Sequence, residues 1–432
     1  MRFYCLVALV AMVMCGNAFA ASNRIREAER FPAEKTLTLE DCITIALKNQ
    51  PAVRQAAAEV EFQAGSVSRS RSRLLPSASV NSSTFISGSG RNSGTGLSAG
   101  VDQLIFDFGR STSGLTESEK QRMASVAAYI SARADTILNV KQSYYTLLRT
   151  TDLVSVFEEN LRSTEGHVSQ AQERLNAGLA PRSDLLKAQA ASASARVDLV
   201  TARNNRDQAH VDLNVAMGID VRSAMKIAES SEPSTPVPDA DQAVDTALIN
   251  RPESRQSQAK VAAAEAALKG AKTGNLPALS TSVGDFKNFG GTSVNDANSW
   301  EWTVNMRWQP FDSGLTRGAV MQARALLVAA EESYYTVKQS IGSDVVSARF
   351  SLLAAQESLV AAQAEVASAR EDLDAATGRY NAGIAIFLEV TDAQAVLLKA
   401  QVDELVARYG ISIARAGLER AIGATSVGGT GK

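Results

Sequence analysis

The stretch ALKNQPAVRQ at residues 46–55 recurs as ALINRPESRQ at residues 247–256, 201 residues further on (247 − 46). The same offset carries Leu75-Pro76 onto Leu276-Pro277. RLNAG at residues 174–178 recurs as RYNAG at 379–383, now 205 residues apart (379 − 174). That larger offset also carries Phe106-Asp107 onto Phe311-Asp312 and Gly218 onto Gly423. The chain is therefore one unit written twice, the first thing a fold assignment must respect. Its register changes once, by four residues (205 − 201), between Pro76 and Phe106. Insertions collect in loops, so a loop in that interval is expected to be longer in the second copy.

Each copy follows one plan. A helical stretch runs through the N-x-P motif to Leu-Pro, about thirty residues of mixed character end at Phe-Asp, and a long helix leads to a tight turn at NAG before a helix returns. Between Gly114 and Gly166 there is no proline or glycine. Met123, Ile130, Ile137 and Tyr144 form one heptad ladder, and Val140, Leu147, Val154, Leu161 and Val168 form another. The ladders interleave at three and four residues, which predicts a coiled-coil seam. The second copy keeps the latter ladder as Val345, Leu352, Leu359, Val366 and Leu373. A helix from Gly109 to Ala177 would reach about 100 Å. The return path is interrupted: a helix over about 183–215, a Pro-rich interval at 230–238, then helix up to Asn275.

Residues 300–308 read W-E-W-T-V-N-M-R-W and contain all three tryptophans. Period-two alternation predicts a strand with one apolar and one polar face. Eight steps span about 26 Å, the height of the apolar band of an outer-membrane barrel. Trp300, Trp302 and Trp308 sit near its ends, as interfacial anchors do. Weaker strands are expected at 78–86, 97–105 and 278–286, with Gly- and Ser-rich loops at 87–96 and 288–299. Four strands cannot close a barrel, and open edges are not tolerated in lipid, so closure demands several chains. Three copies would supply enough strands for a pore.

Other readings narrow the class. Residues 1–20 have Arg2, an apolar run and Ala18-Phe19-Ala20, the form of a cleaved signal peptide. Met14 before Cys15 is not the small residue that a lipoprotein site wants, so no acyl chain is expected. Cys42 is then the one remaining cysteine, and no intrachain disulfide is expected. His167 and His210 read as solvated side chains without a ligand cluster. A net charge of −2 gives no reason to expect nucleic-acid binding. No nucleophile–base spacing, phosphate loop or metal cluster stands out, so neither catalysis nor a cofactor is expected.

The duplicated A-L-x-N-x-P, the Phe-Asp-x-Gly exits at Phe106 to Gly109 and Phe311 to Gly314, and the R-[LY]-NAG turns followed by DLLKAQA and EVTDAQA resemble the TolC-type outer-membrane efflux and type I secretion channels, over about residues 36–425. The resemblance implies an α+β membrane protein. Its parts are a long antiparallel coiled-coil α-barrel in the periplasm and a transmembrane β-barrel, shared between three chains with four strands each. The repeats would be residues 36–218 and 241–423, with β-hairpins at about 77–106 and 278–310. Residues 219–240 would be an equatorial linker and 424–432 a flexible tail. It implies a homotrimeric passive duct in outer-membrane lipid, coupled through a periplasmic adaptor to an inner-membrane pump. Cargo is chosen at that pump and is not written in this chain. A periplasmic coiled-coil adaptor is the alternative, as is a coiled-coil structural protein without a pore. Two hairpins, Trp-bounded strands and an unanchored, cleaved start argue against the adaptor, and heat-modifiable migration with recovery in the outer-membrane fraction would separate the structural protein.

Two features remain for the ends of the long helices. Arg69, Arg71 and Arg73 close the helix before Leu-Pro, with Lys269 and Lys272 in the second copy. Cations there favour the helix dipole and could also meet lipid phosphates. After RYNAG, Glu389 and Asp392 share a helix face one turn in. Carboxylates favour that position whatever they face. The resemblance implies a closed periplasmic entrance at this turn, ringed by Glu389 and Asp392, with Arg379 and Tyr380 tethering neighbouring helices. Copy one carries Asp184 and Lys187 at the matching places, a balanced pair, so the negative ring is expected from copy two.

Overall fold

The computed structural model describes residues 36–85, 94–229, 238–289 and 299–424. The expected signal peptide, the C-terminal tail from residue 425, both Gly-rich loop tips and residues 230–237 lie outside the described residues. The first copy comprises β1 (Thr36–Leu37), α1 (Leu39–Asn49), α2 (Pro51–Ser72), β2 (Ser77–Phe85), β3 (Gly94–Phe106), α3 (Arg110–Asn176) and α4 (Arg182–Met217), followed by β4 (Lys226–Ile227). The second comprises α5 (Ala240–Asn250), α6 (Pro252–Ala271), β5 (Ala278–Phe289), β6 (Ser299–Arg307), α7 (Leu315–Asn381) and α8 (Phe387–Ile422). Both long helices have 67 residues and both return helices 36.

The repeated motifs are the punctuation of these elements. Pro51 and Pro252 begin α2 and α6, where a missing N–H is no loss. The residue before a proline is barred from the helical region, so Gln50 (ψ 123°) and Arg251 (ψ 131°) are extended and break the helix. At the strand-to-helix exits two successive residues are left-handed: Phe108 and Gly109 (φ 57° and 86°), and Ser313 and Gly314 (φ 52° and 92°). The Asp107 carboxylate accepts from the N–H groups of Gly109 (3.2 Å) and Ser111 (2.8 Å). Asp312 does the same for Gly314 (3.1 Å) and Thr316 (2.7 Å). Phe-Asp-x-Gly is thus a device for capping a very long helix. In both NAG turns the glycine is left-handed, and the next N–H reaches back to the arginine carbonyl: Leu179 to Arg174 at 2.8 Å, Ile384 to Arg379 at 3.0 Å.

α3 packs against α4 over the half nearer the NAG turn and against α2 and α6 over the other half; α7 packs against α8, α5 and α6. The main core lies where α1, α3 and α4 meet the small β1–β4 sheet, around Cys42, Val140, Tyr144, Leu213 and Met217. Burial pushes the Cys42 thiol up to about 12, aided by the Asp41 charge. A smaller equivalent cluster around Ala243, Ala247 and Val345 serves the second copy.

The heptad seam is buried from Ile137 towards the NAG turn but not above it. Met123 is 58% exposed and Ile130 44%. They border an open groove over α6, facing Arg255, Gln258 and the small side chains of Ala259 and Ala262. A stretch of α7 is apolar enough on average to cross a bilayer, but little of it is buried within the chain.

β2, β3, β5 and β6 form one antiparallel sheet in that order, joining the hairpins of both copies. The sheet and the long helical hairpins are the α+β architecture expected, with β2 and β6 as its two edges.

Candidate functional site

The sheet register sorts side chains onto two faces. Val80, Ala99, Val101, Val283, Trp302, Val304 and Met306 share one face, on which opposed pairs include Val101–Val283 and Val283–Trp302. The other carries Ser79, Asn81, Asp102, Ser280, Ser282, Glu301, Thr303, Asn305 and Arg307. One apolar face left exposed and one polar face fit a sheet placed between lipid and water. Trp300 and Trp302 project from the apolar face, 76% and 66% exposed, and the Trp302 indole donates to Thr281 Oγ1 at 2.7 Å. Trp308, 58% exposed, lies just past the strand, which ends at Arg307. Asp285, opposite Trp300 near the loop end, interrupts the apolar face.

The sequence reading missed a second group of aromatic side chains. Phe106, Phe108 and Phe311 all stand exposed where strands pass into helices, at the end where Trp308 lies. The Phe-Asp repeat was the available signal, since an aromatic residue beside a helix cap has no packing reason to be exposed.

At the opposite end of the long helices the two NAG turns pack side by side. Tyr380 is buried against Phe387 (ring centroids 5.4 Å apart). The Arg174 guanidinium lies over the Tyr380 ring at 4.6 Å and donates to the Tyr380 carbonyl at 3.2 Å. Gln170 donates to Asn381 Oδ1 at 2.8 Å. Burial raises the Tyr380 hydroxyl, the nearby Asp184 charge adds to this, and Arg174 opposes it. The turns of the two copies are therefore locked together by Arg174, which the sequence placed in a motif but not in the site.

The expected acidic ring has a cation beside one of its acids. Glu389 accepts from Arg379 at 3.3 Å, both about half exposed, so the copy-two acid is itself balanced within the chain. A side chain ten residues earlier folds back over the turn, which helix-face spacing alone does not reveal. Asp392 is exposed one turn further on.

Neither histidine is simply solvated, contrary to expectation. His210 lies 3.0 Å from the Met225 carbonyl. His167 borders a cavity of about 170 Å³ between α3, α4 and α8, with Asn160, Asp198, Phe387 and Gln394. Burial lowers its basicity against the opposing hydrogen bond with Gln170, and its Nε2 is buried without a hydrogen-bond partner among the described residues. Long-range packing, invisible in local sequence, causes both. Among the described residues no group of three or more His, Cys, Asp or Glu side chains could hold a metal.

The outer membrane efflux protein family matches residues 42–219 and 243–424, nearly the two repeats. Outer membrane protein TolC of Escherichia coli (strain K12) is 26% identical over 401 residues, covering 87% of this chain and 80% of its own. Protein CyaE of Bordetella pertussis is 26% identical over 396 residues, covering 87% and 81%. Among solved structures, the Campylobacter jejuni CmeC outer membrane channel superposes with a TM-score of 0.78 at 20% identity, over 89% of this chain and 85% of that one. The open-state Neisseria gonorrhoeae MtrE outer membrane channel gives 0.75 at 19%, over 92% and 96%. With a two-faced sheet on long duplicated helices and a family match over both repeats, this chain belongs to the outer membrane efflux protein family and resides in the outer membrane.

Proposed function

We propose that three copies of this chain close into a passive exit duct through the outer membrane, serving a tripartite efflux pump or type I secretion system. The observation that carries the reading is a matched pair of unfinished surfaces. β2 and β6 each have a strand partner on one side only, and all neighbours in the sheet run antiparallel. β6 of one chain can therefore continue into β2 of the next without breaking the pattern, and an open edge in lipid is costly. The helices repeat the argument. α3 is flanked by α2 and α6, whereas α7 has α6 on one side and leaves Met321, Leu326 and Val328 exposed. The copy-one helix α2, with exposed Phe62, is the piece that repeat symmetry would supply from the neighbour.

In this reading the NAG end is the periplasmic entrance, with Glu389, Asp392, Asp184, Arg379 and Tyr380 around it, and Trp300, Trp302 and Trp308 anchor the strands in lipid. A periplasmic adaptor and an inner-membrane pump supply selection and energy. TolC, CyaE and the Brucella suis outer membrane efflux protein BepC support this class of role by their likeness. The adaptor alternative is not favoured, because the family match covers both repeats.

Planar-bilayer conductance tests the entrance. Among the copy-two charges at the turn, Arg379 and Glu389 cancel and Asp392 leaves one negative charge per chain. Asp392→Ala should abolish most cation preference, and the double variant with Glu389→Ala, which leaves Arg379 uncovered, should reverse it. Unchanged selectivity in a correctly assembled double variant would place the constriction elsewhere.

A further inference from the structure

An open groove of about 380 Å³ lies between the first turns of α3 and the last turns of α6, lined by Thr112, Ser113, Thr116, Lys120, Glu265 and Lys269. We propose that this groove seats the headgroup of a phosphoethanolamine phospholipid, with the phosphate between Lys120 and Lys269 and the ammonium at Glu265. The inference rests on the membrane reading above for its orientation.

Three observations carry it. The first is height. α3 starts four residues after β3 ends, and β5 starts seven residues after α6 ends, so the groove lies directly below the strands (110 − 106 and 278 − 271). Trp308 and Phe311, 58% and 83% exposed, lie at the same strand-to-helix end of the molecule, at the level aromatic side chains take between hydrocarbon and headgroups. Acyl chains of a lipid seated here would lie along the apolar face of the sheet.

The second is charge. Among the described residues, Lys120, Lys269 and Glu265 have no ion-pair partner within 4.0 Å, although Glu265 and Lys269 are four apart on one helix. Two cations and one carboxylate around one groove match a ligand that carries a phosphate and a primary ammonium. A phosphate takes Lys as a point charge, and an ammonium donates several hydrogen bonds to a carboxylate. Choline has no N–H to donate, and glycerol has no positive charge, so neither headgroup satisfies Glu265.

The third is the surrounding supply of cations. Arg69, Arg73 and Lys272 are exposed on the ends of α2 and α6 at the same level, while Arg71 is spoken for by Glu119 at 3.9 Å. Long basic side chains extend to headgroup height from such positions. The collar draws phosphate to the rim, and the groove discriminates among headgroups.

The test is native mass spectrometry of the assembled protein released from vesicles of equal dioleoyl phosphatidylethanolamine, phosphatidylglycerol and phosphatidylcholine, with inorganic phosphate as a separate probe. The expected result is retention of phosphatidylethanolamine roughly tenfold over phosphatidylcholine, the worth of one charge-assisted contact. Glu265→Gln should erase that preference while leaving total phospholipid retention. Lys120→Gln with Lys269→Gln should lower retention of every phospholipid, and Lys269→Arg should keep it. All variants should assemble and conduct as wild type. Equal retention of the three lipids by wild type, retention unchanged in the lysine variants, or uptake of inorganic phosphate without lipid preference would each overturn the proposal. Failure of wild type to assemble in membranes would instead overturn the duct reading.

Discussion

Gly218 stands against Gln50, and its repeat mate Gly423 stands against Arg251 in the same way. A Cβ on Gly218 would lie 2.9 Å from the Gln50 Cα, and one on Gly423 3.2 Å from the Arg251 nitrogen. Each glycine ends a return helix with a left-handed φ, 66° and 78°, and each abuts the extended residue ahead of a proline. Gln50 adds side-chain bonds to the carbonyls of Val215 (3.3 Å) and Ala216 (3.1 Å). The first and last motifs of each copy thus close on one another.

Gly218→Ala should therefore destabilise the protein through both backbone strain and overlap with main chain that cannot move aside, by about 2 kcal/mol or more. Gly423→Ala meets a looser contact and should cost less. Thermal melting of the detergent-extracted protein checks the ranking. Equal melting of wild type and both variants would show that the contact is slack.

A second closure joins the copies at mid-height. Arg420, on α8, binds Asp135 of α3 at 2.7 Å and also Glu253 of α6, which accepts from Ser131 at 2.6 Å. Arg251 binds Asp344 of α7 at 2.8 Å. Burial alone would raise the Glu253 carboxyl, but hydrogen bonds from Arg420 and Ser131 overrule it and hold it at about 2. A depressed carboxylate stabilises fully above its ordinary value of 4.5, and that contribution fades as pH falls through about 2. Its worth is on the order of 3 kcal/mol. Glu253→Gln should lower stability at neutral pH by a similar amount and flatten the melting curve's dependence on pH between those values. A variant with wild-type acid sensitivity would show that other carboxylates govern this range.

Much of this fold was legible because its punctuation is local. A proline after Asn-Gln or Asn-Arg, an Asp two before a glycine, and a glycine after Asn-Ala each act on the backbone within a few residues. The repeat then confirmed each by writing it twice, and alternation from Trp300 to Trp308 declared the membrane. The candidate site was less legible. The Arg379–Glu389 pair spans a turn, Arg174 reaches across 206 residues to Tyr380, and His167 faces a cavity made by three helices. Such contacts depend on how helices lie against one another, which heptads specify only up to the choice of neighbour. Met123 and Ile130 show that ambiguity: their ladder is right, but this part of it meets only small and polar side chains and stays exposed.

Arg174 provides a test of the entrance that does not depend on the acids. Its contact with the Tyr380 ring and its bond to the Tyr380 carbonyl together contribute about 2 kcal/mol to holding the two turns together. Arg174→Ala should raise the ratio of open to closed channels by roughly thirtyfold in single-channel recordings. Conductance and gating identical to wild type would separate this packing from the gate.

In the proposed duct one chain supplies a third of a closed barrel. Native mass spectrometry of protein extracted from the outer membrane in mild detergent tests it most directly. Cys42, buried and the sole free cysteine among the described residues, leaves no reactive thiol in them to join chains artificially. The expected result is one species of three chains that conducts when returned to bilayers. A conducting species of one or two chains would contradict it.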